Sequence, residues 1–435
     1  MGADALAKRV VSELRAAGHQ AFLVGGCVRD LLLGMTPKDF DVATDAHPDR
    51  IMDLFPRSGQ VGAHFGVVLV RDAEAQVEVA TFRRDLDYTD GRRPDGVEFE
   101  SDPRRDVLRR DFTINGLLMD PQSGAVLDLV GGRADLEKRL VRAIGDPDAR
   151  FREDHLRLLR AIRFAARLGF QIESSTFEAI RRHRTLITRV SAERVRDELV
   201  RILTEGGARR GFEMLDSTGL LAVLLPEVAA MKGVEQPPQY HPEGDVWVHT
   251  LMLLANLEHP TPTLALGALL HDVGKPPTFR VADRIRFDGH VEEGVKLAHG
   301  ILTRLRFSRE DTGQVEALVA NHMKFKDVPR MKESTLKRFL RLPEFDEHLE
   351  LHRLDCLASH GDLETYDTVR RKRAECPEEH LRPLRLLTGN DLVAAGYRPG
   401  PQFSEILNWA EDAQLEGLVH TTAEALALVR ERFPN

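Results

Sequence analysis

The stretch Leu23-Val24-Gly25-Gly26-Cys27-Val28-Arg29-Asp30, followed by Lys38-Asp39-Phe40-Asp41-Val42, decides how this 435-residue chain is read. A short apolar run ends in a glycine pair, a charged helix start follows, and two carboxylates come next at i and i+2. Residues two apart on a strand point to the same face, so Asp39 and Asp41 are expected to project together. Carboxylate oxygens suit Mg²⁺, which is usually held by one or two carboxylates together with substrate phosphates. The Gly25-Gly26 turn can bring backbone amides close to a triphosphate. The spacing predicts a nucleotidyl-transfer site.

Around this stretch, residues 1–145 alternate helix and strand signals. Residues 4–17 read as a helix, 21–24 as a short buried strand, 29–33 as helical and 40–43 as a strand. Residues 67–70 and 76–82 read as strands by β-branched content and alternation. The polar, Gly- and Pro-bearing run 83–96 reads as a loop long enough to be functional. Residues 106–119 are mixed and are expected to end helical. After Gly145 the patterning becomes helical, with one helix over 152–168 and others at 174–183, 191–204 and 208–218. Ser191 is a candidate N-cap. The expected fold class is α+β and multidomain: a small α/β head (1–145), a helical neck (146–225), a further helical domain (226–380) and a C-terminal helical region (381–435).

Composition narrows the class. Hydrophobic residues make up 42% and charged residues 30% of the chain, as in soluble globular proteins. The charged start lacks the continuous apolar core expected of a signal peptide, and no apolar run is long enough to cross a bilayer, so no membrane partner is expected. Cys27, Cys356 and Cys376 lack metal spacing and suit a reducing cytoplasm. The net charge of −8 argues weakly against a general nucleic-acid coat protein. Yet residues 150–215 carry 15 arginines, no lysine and 9 carboxylates, an excess of six positive charges. Such a segment is either a solvated helical surface or a groove for phosphates, where arginine offers bidentate contacts.

Other segments supply candidate partners for the two aspartates. Glu78, between Val77 and Val79, would be a third carboxylate or hold the metals indirectly if its strand lies beside theirs; otherwise it is a solvated strand residue. In Arg109-Arg110-Asp111-Phe112-Thr113-Ile114-Asn115, Arg110 and Asp111 could read ribose hydroxyls or steady a phosphate, and Asn115 adds a hydrogen-bonding amide. In Glu153-Asp154-His155-Leu156-Arg157, Asp154 and Arg157 would lie one turn apart on a helix face. A carboxylate that accepts beside a guanidinium that donates can imitate the Watson–Crick edge of a base. The plainer reading is an exposed ion pair worth a few tenths of a kcal/mol, roughly.

Taken in order, VGGCVRDLLLG…DFDVAT, RRDFTIN, EDHLRLLRAIRFAARLGF and SAERVRDELVRIL resemble the bacterial class II tRNA nucleotidyltransferase and poly(A) polymerase family. The resemblance is strong over the first half of the chain. It implies a polymerase-β-like head, with Asp39 and Asp41 binding the catalytic Mg²⁺ ions; Glu78 stays a catalytic candidate on its strand position alone. It implies that Gly25, Gly26 and Arg29 hold the triphosphate, and that Arg110 and Asp111 contact the ribose and nearby backbone; Asn115 is a further nucleotide-binding candidate. Asp154 and Arg157 would serve as the amino-acid template for the base, with Arg160 and Arg163 following as nucleotide contacts. The loop 83–96, with Asp90-Gly91-Arg92, matches the family's flexible loop, which is shortened in members that add only cytidines. Its length here argues against a CC-only enzyme.

A second constellation lies further on. His249, His271-Asp272 and Asp355, with His290 and His322 as added ligands, resemble the HD-domain metal-dependent phosphohydrolases, and His/Asp sets suit a divalent metal. The alternative is a scaffold that holds RNA without metal. The resemblance implies addition of nucleotides to the tRNA 3′ end from ATP and, in one reading, CTP. CCA, the terminal A alone and a poly(A) tail all stay open as products. The competing class is an HD-type phosphohydrolase acting on RNA ends or nucleotides, and a pure RNA-binding scaffold is a third reading.

Overall fold

The computed structural model describes residues 2–60, 66–86, 91, 96–239, 241–242 and 244–434, and these divide into two compact units. The first comprises Met1–Ala229 with Arg304–Arg306, and the second Ala230–Thr303 with Phe307–Asn435.

The first unit is built on a mixed seven-stranded sheet. Its strands are β1 (Ala21–Val24), β2 (Asp41–Thr44), β3 (Ser58–Gln60), β4 (Val67–Asp72), β5 (Ala75–Thr81), β8 (Leu117–Met119) and β9 (Val126–Asp128), in the order β3-β4-β5-β2-β1-β8-β9. Two registers position the site. The antiparallel pairing of β1 with β2 sets Val24 against Asp41, so the glycine turn leaves the sheet beside Asp41. The parallel pairing of β2 with β5 sets Glu78 against Asp41. Alternation buries Val77 and Val79 and leaves Glu78 exposed. Helix α1 (Ala3–Ala16) covers the sheet with Leu6, Val10 and Leu14, all fully buried.

Several local expectations change. Asp39 lies in a bend before β2, not on the strand. Residues 83–96 are not all loop: β6 (Arg83–Leu86) pairs antiparallel with β7 (Gly96–Phe99). Paired backbone here outweighs a polar composition. Asp90 and Arg92 lie outside the described residues. The segment 106–119 ends as strand β8, after helix Pro103–Leu108 and a 3₁₀ turn at Thr113–Asn115, because Leu117–Met119 pairs with β1 on one side and β9 on the other. The helix expected over 152–168 is two, Pro147–Glu153 and Arg157–Leu168. Asp154 is extended (φ −137°, ψ 106°) and its carboxylate accepts the Leu156 amide at 3.1 Å, a local bond that competes with helix propagation. Ser191 occupies the N-cap position of Ala192–Thr204, but its hydroxyl makes no capping bond.

The second unit is helical apart from a small hairpin pairing Arg280–Val281 with Ile285–Arg286, which the sequence reading does not anticipate. Helices Val246–Ala255, Pro262–Leu270 and Phe345–Ala358 pack together. The last segment opens with a capping box between Thr388 and Asp391 and closes its own apolar cluster around Leu392, Ile406 and Val429.

His348, on Phe345–Ala358, is 1% exposed, and neither ring nitrogen has a hydrogen-bond partner among the described residues. Burial pushes its pKa down to about 4; Glu347 pulls it upward and Lys324 further down. A depressed folded-state value means the protonated ring is disfavoured in the fold. Its stabilising contribution is complete above the ordinary value of 6.5 and is lost as pH falls through about 4. At about 1.4 kcal/mol per pKa unit, His348→Leu should remove up to ~3 kcal/mol from the acid-limb loss of stability. Urea unfolding of both proteins at several pH values tests this, and identical pH dependences would exclude it.

Candidate active site

Asp41 sits at the start of β2 with Val24 on one side and Glu78 on the other. Burial, with Glu78 and Asp39 adding negative charge, pushes its carboxyl up to about 6 against the opposing pull of Arg110. Carboxylates near one strand end are hard oxygen donors, and a cation among them would relieve their repulsion. Gly25 turns the chain at φ +78°, where a side chain would be strained. A Cβ there would lie 3.4 Å from Arg110 Nη1 and 3.9 Å from Asp41 Oδ2. The turn therefore presents bare backbone to the carboxylate and the guanidinium at once.

Two cavities meet at Gly26, Arg29 and Asp41. One, of about 400 Å³, is lined by Gly25, Arg109, Arg110, Asp111, Asn115, Asp154, Arg157, Arg160 and Phe164 as well. The other, of about 350 Å³, adds Lys38, Asp39, Arg163, Arg167 and Arg201 among its walls. Of the residues expected to contact nucleotide, Arg163 alone is absent from the first cavity. It is buried, donating from Nε to Glu198 at 2.7 Å and from Nη1 to Glu205 at 3.2 Å.

Helix Arg157–Leu168 distributes its arginines over carboxylates from several elements. Arg160 donates two bonds to Asp111 Oδ2, at 2.9 and 2.7 Å, and Arg167 donates to Asp30. Phe164 lies under the guanidiniums of Arg29, Arg160 and Arg163, at 5.1, 5.3 and 4.4 Å from its ring centre. Arg29 itself is buried and donates to Asp30 and, at 2.6 Å, to Asn115 Oδ1. It fixes the Asn115 amide, whose Nδ2 donates to Asp111. Burial alone would raise the Asp111 pKa, but Arg160 and Asn115 outweigh it and hold it at about 2.

Asp154 and Arg157 both face the first cavity, although not as a pair on one continuous helix. Asp154 accepts from Arg194 at 3.2 Å, while Arg157 donates to Glu153 and to the Arg109 carbonyl. The helix break between them holds His155, whose amide donates to the Gly91 carbonyl at 3.1 Å. Sequence reading assigned nothing to Arg109, Arg194 or Phe164. Arg109 stands in the quoted doublet, whereas no local signal marks Arg194 as a partner of Asp154, 40 residues away.

In the second unit, His249, His271 and Asp355 form one group and Asp272, His290 and His322 another, the ligand atoms of each lying within 4.8 Å of one another. Gly274 makes this possible, since a Cβ there would collide with the His290 carbonyl and with Gly294. Nδ1 of His271, His290 and His322 donates to the backbone carbonyls of Ala268, Phe287 and Val319, at 3.0, 2.9 and 2.7 Å. That fixes the orientation of each ring and leaves Nε2 as the nitrogen available to a metal when the ring is neutral. These three Nε2 atoms are buried with no hydrogen-bond partner among the described residues, so the donor set fits a divalent ion. Burial pushes the His322 pKa down to about 4 and keeps the ring neutral. Burial would raise the Asp272 carboxyl, but His271 and Lys275 hold it well below the usual range. Lys275, quoted in the sequence but given no role, donates to Asp272 at 2.7 Å and lines the adjoining cavity of about 810 Å³.

Residues 21–142 match the poly A polymerase head domain, 169–232 the probable RNA- and SrmB-binding site of polymerase A, and 246–355 the HD domain. Nucleotidyltransferase and HD domains generally use divalent metals, and in the second unit the group of His249, His271 and Asp355 and that of Asp272, His290 and His322 supply suitable donors. Proteins named CCA-adding enzyme from Levilactobacillus brevis and Geobacillus thermodenitrificans are 44% and 43% identical over 215 and 220 residues. Those matches take in 49% and 51% of this chain and 54% of each relative, so the chain spans about half the length of the curated relatives it matches. The crystal structure of the Bacillus stearothermophilus CCA-adding enzyme in complex with CTP is 28% identical, with a TM-score of 0.75 over 98% of this chain and 96% of that one. The Thermotoga maritima CCA-adding enzyme complexed with tRNA is 20% identical and shares the fold, with a TM-score of 0.61 over 98% of this chain and 95% of that one. No helix among the described residues is long and apolar enough to cross a membrane. The chain thus carries, in this order, a segment similar to the poly A polymerase head, one similar to the RNA-binding region of polymerase A and one similar to the HD domain, an order in keeping with the CCA-adding enzymes it resembles.

Proposed function

We propose that this chain is a template-independent tRNA nucleotidyltransferase that adds the 3′-terminal CCA from CTP and ATP, acting in the cytoplasm. The observation that carries the reading is the first cavity: Asp41 lies at one part of its wall and Asp154 with Arg157 at another. A nucleoside triphosphate placed there could meet phosphate-transfer carboxylates and a base reader at once. The name borne by relatives 44% and 43% identical, and the CTP in the structure 28% identical, favour CCA as the product.

In this reading Asp39 and Asp41 hold Mg²⁺ ions, with Glu78 beside them; when bound, such ions acidify a hydroxyl and offset charge on the phosphates. The 3′-hydroxyl oxygen of the RNA gives up its proton to solvent and bonds to the α-phosphorus, while the α–β phosphoanhydride bond breaks and pyrophosphate leaves. The Gly26 amide, brought close by the side-chain-free Gly25 turn, and the Arg110 Nη1 edge face the phosphates, and Asp111 and Asn115 orient the ribose. Asp154 and Arg157 present an acceptor and a donor fork to the base, held by Arg194 and by Glu153. The divisions 1–145, 146–225, 226–380 and 381–435 serve as head, neck, HD domain and tRNA-holding tail.

Product identity is tested by supplying tRNA that lacks CCA, and separately tRNA ending in CC, with each nucleotide. Incorporation of C on the first substrate and of a single A on the second is expected. Failure to add C would make the enzyme A-adding, and long A tracts on unstructured RNA would make it a poly(A) polymerase. The three bare histidine nitrogens around Asp272 favour a second, metal-dependent phosphohydrolase activity in the HD domain.

A further inference from the structure

Asp106 is 1% exposed, and each of its oxygens is taken by a different arginine of the cavity wall. Oδ1 accepts from Arg109 Nε at 2.9 Å and Nη2 at 2.5 Å. Oδ2 accepts from Arg110 Nε at 3.2 Å and Nη2 at 2.9 Å. A carboxylate has about four lone-pair sites, and here four N–H groups occupy them. Two forks on one carboxylate leave each guanidinium with only Nη1 unclamped. For Arg110 that edge lies beside the bare Gly25 turn, 3.4 Å from a point that is itself 3.9 Å from Asp41 Oδ2. Among the described residues no ion pair within 4.0 Å joins Arg110 to Asp41, so the two are neighbours held apart.

That separation has a chemical consequence. A free guanidinium this close would close a bidentate pair with the Asp41 carboxylate, which is among the strongest hydrogen-bonded pairings available. The same oxygens could then not accept a metal ion. We propose that Asp106 is a positioning residue: it ties Arg110 back so that the guanidinium reaches phosphate or ribose with one edge while Asp41 stays open to metal. Through Arg109 the clamp extends further, because the Arg109 carbonyl accepts from Arg157 Nη2 at 3.0 Å. Asp85, with its carboxylate 4.0 Å from Arg109 Nη1, bounds the other side. The proposal rests on the reading of Asp41 as a metal ligand.

The test is the Mg²⁺ dependence of ATP binding by the full chain without RNA, so that no turnover occurs. In the wild type, Mg²⁺ should tighten ATP binding, and Asp41→Ala should remove that enhancement. Asp106→Ala should raise the Mg²⁺ concentration needed for half the enhancement at least about tenfold, the size of a lost supporting contact at a metal site. The double variant Asp106→Ala/Arg110→Ala should return to the value of Arg110→Ala alone, since the competing guanidinium is then gone. An equal rise with and without Arg110 would overturn the proposal by making the effect purely structural. An unshifted Mg²⁺ midpoint in folded Asp106→Ala would overturn it as well. If Asp106→Ala does not fold, Asp106→Asn replaces it with the same expectation in smaller degree, and Asp106→Glu should restore the wild-type midpoint. Should Asp41→Ala keep the full Mg²⁺ enhancement, the metal reading of Asp41 fails instead, which the control separates from failure of the clamp.

Discussion

Asp41→Ala should lower nucleotide addition at least about a thousandfold while the protein stays folded and keeps its RNA affinity. Metal-borne charge stabilisation at a transferring phosphoryl group is worth several kcal/mol, and each ~1.4 kcal/mol is a factor of ten in rate. Asp41 is the residue on which the site converges: it lines both cavities, pairs in register with Glu78 and faces the Gly25 turn. Its fold cost is small in the other direction. Burial and neighbouring carboxylates raise its pKa to about 6, so ionised Asp41 strains the fold and its removal should not lower the thermal midpoint. A drop in turnover with unchanged melting and unchanged tRNA binding therefore isolates chemistry from folding. Normal turnover by a folded Asp41→Ala protein would remove Asp41 from the metal site. Asp39 is exposed and lies in a bend, so Asp39→Ala tests whether the second carboxylate acts together with it.

The second large effect is expected at His271. His271→Ala removes a buried ring whose Nε2 is 3.2 Å from Asp272 and whose group also contains His249 and Asp355. Metal content after dialysis should fall by one ion per chain or more, and Mn²⁺ affinity of the second unit at least about tenfold, since even supporting residues of a metal site change affinity by that amount. Asp41→Ala serves as the counterpart and should leave this metal in place, because its ligands belong to the other unit. Metal content unchanged by His271→Ala would show that the histidine cluster does not bind metal as drawn. Any phosphoester hydrolysis by the protein should disappear with the ion.

The chain's local chemistry was readable where it is written in short spacings. The glycine turn, the carboxylates after it, the strands with alternating valines and the His-Asp doublet at the end of an apolar helix each lie within a few residues, and local geometry follows from such spacings. Reading failed where a local bond or a distant partner decided the outcome. The Asp154 side chain caps its own turn and splits a segment whose apolar spacing reads as one helix. Residues 83–86 and 96–99 look like loop by composition, yet each supplies the other's hydrogen bonds.

What the sequence determined by itself is the inventory: which residues can hold metal, which can present a base-like edge, and that a small α/β head precedes a helical remainder. Those properties belong to side-chain chemistry and to periodicity, and they need no partner. Tertiary structure alone decided how the inventory is used. It placed Glu78 beside Asp41 by strand register, committed Arg163 to Glu198, and set Arg194 on Asp154 across 40 residues. It also turned Asp106 from an unremarked acid into the anchor of two arginines. The reason is physical: burying a charge is unfavourable unless an opposite charge is within hydrogen-bond reach, and only the folded chain decides which opposite charge that is.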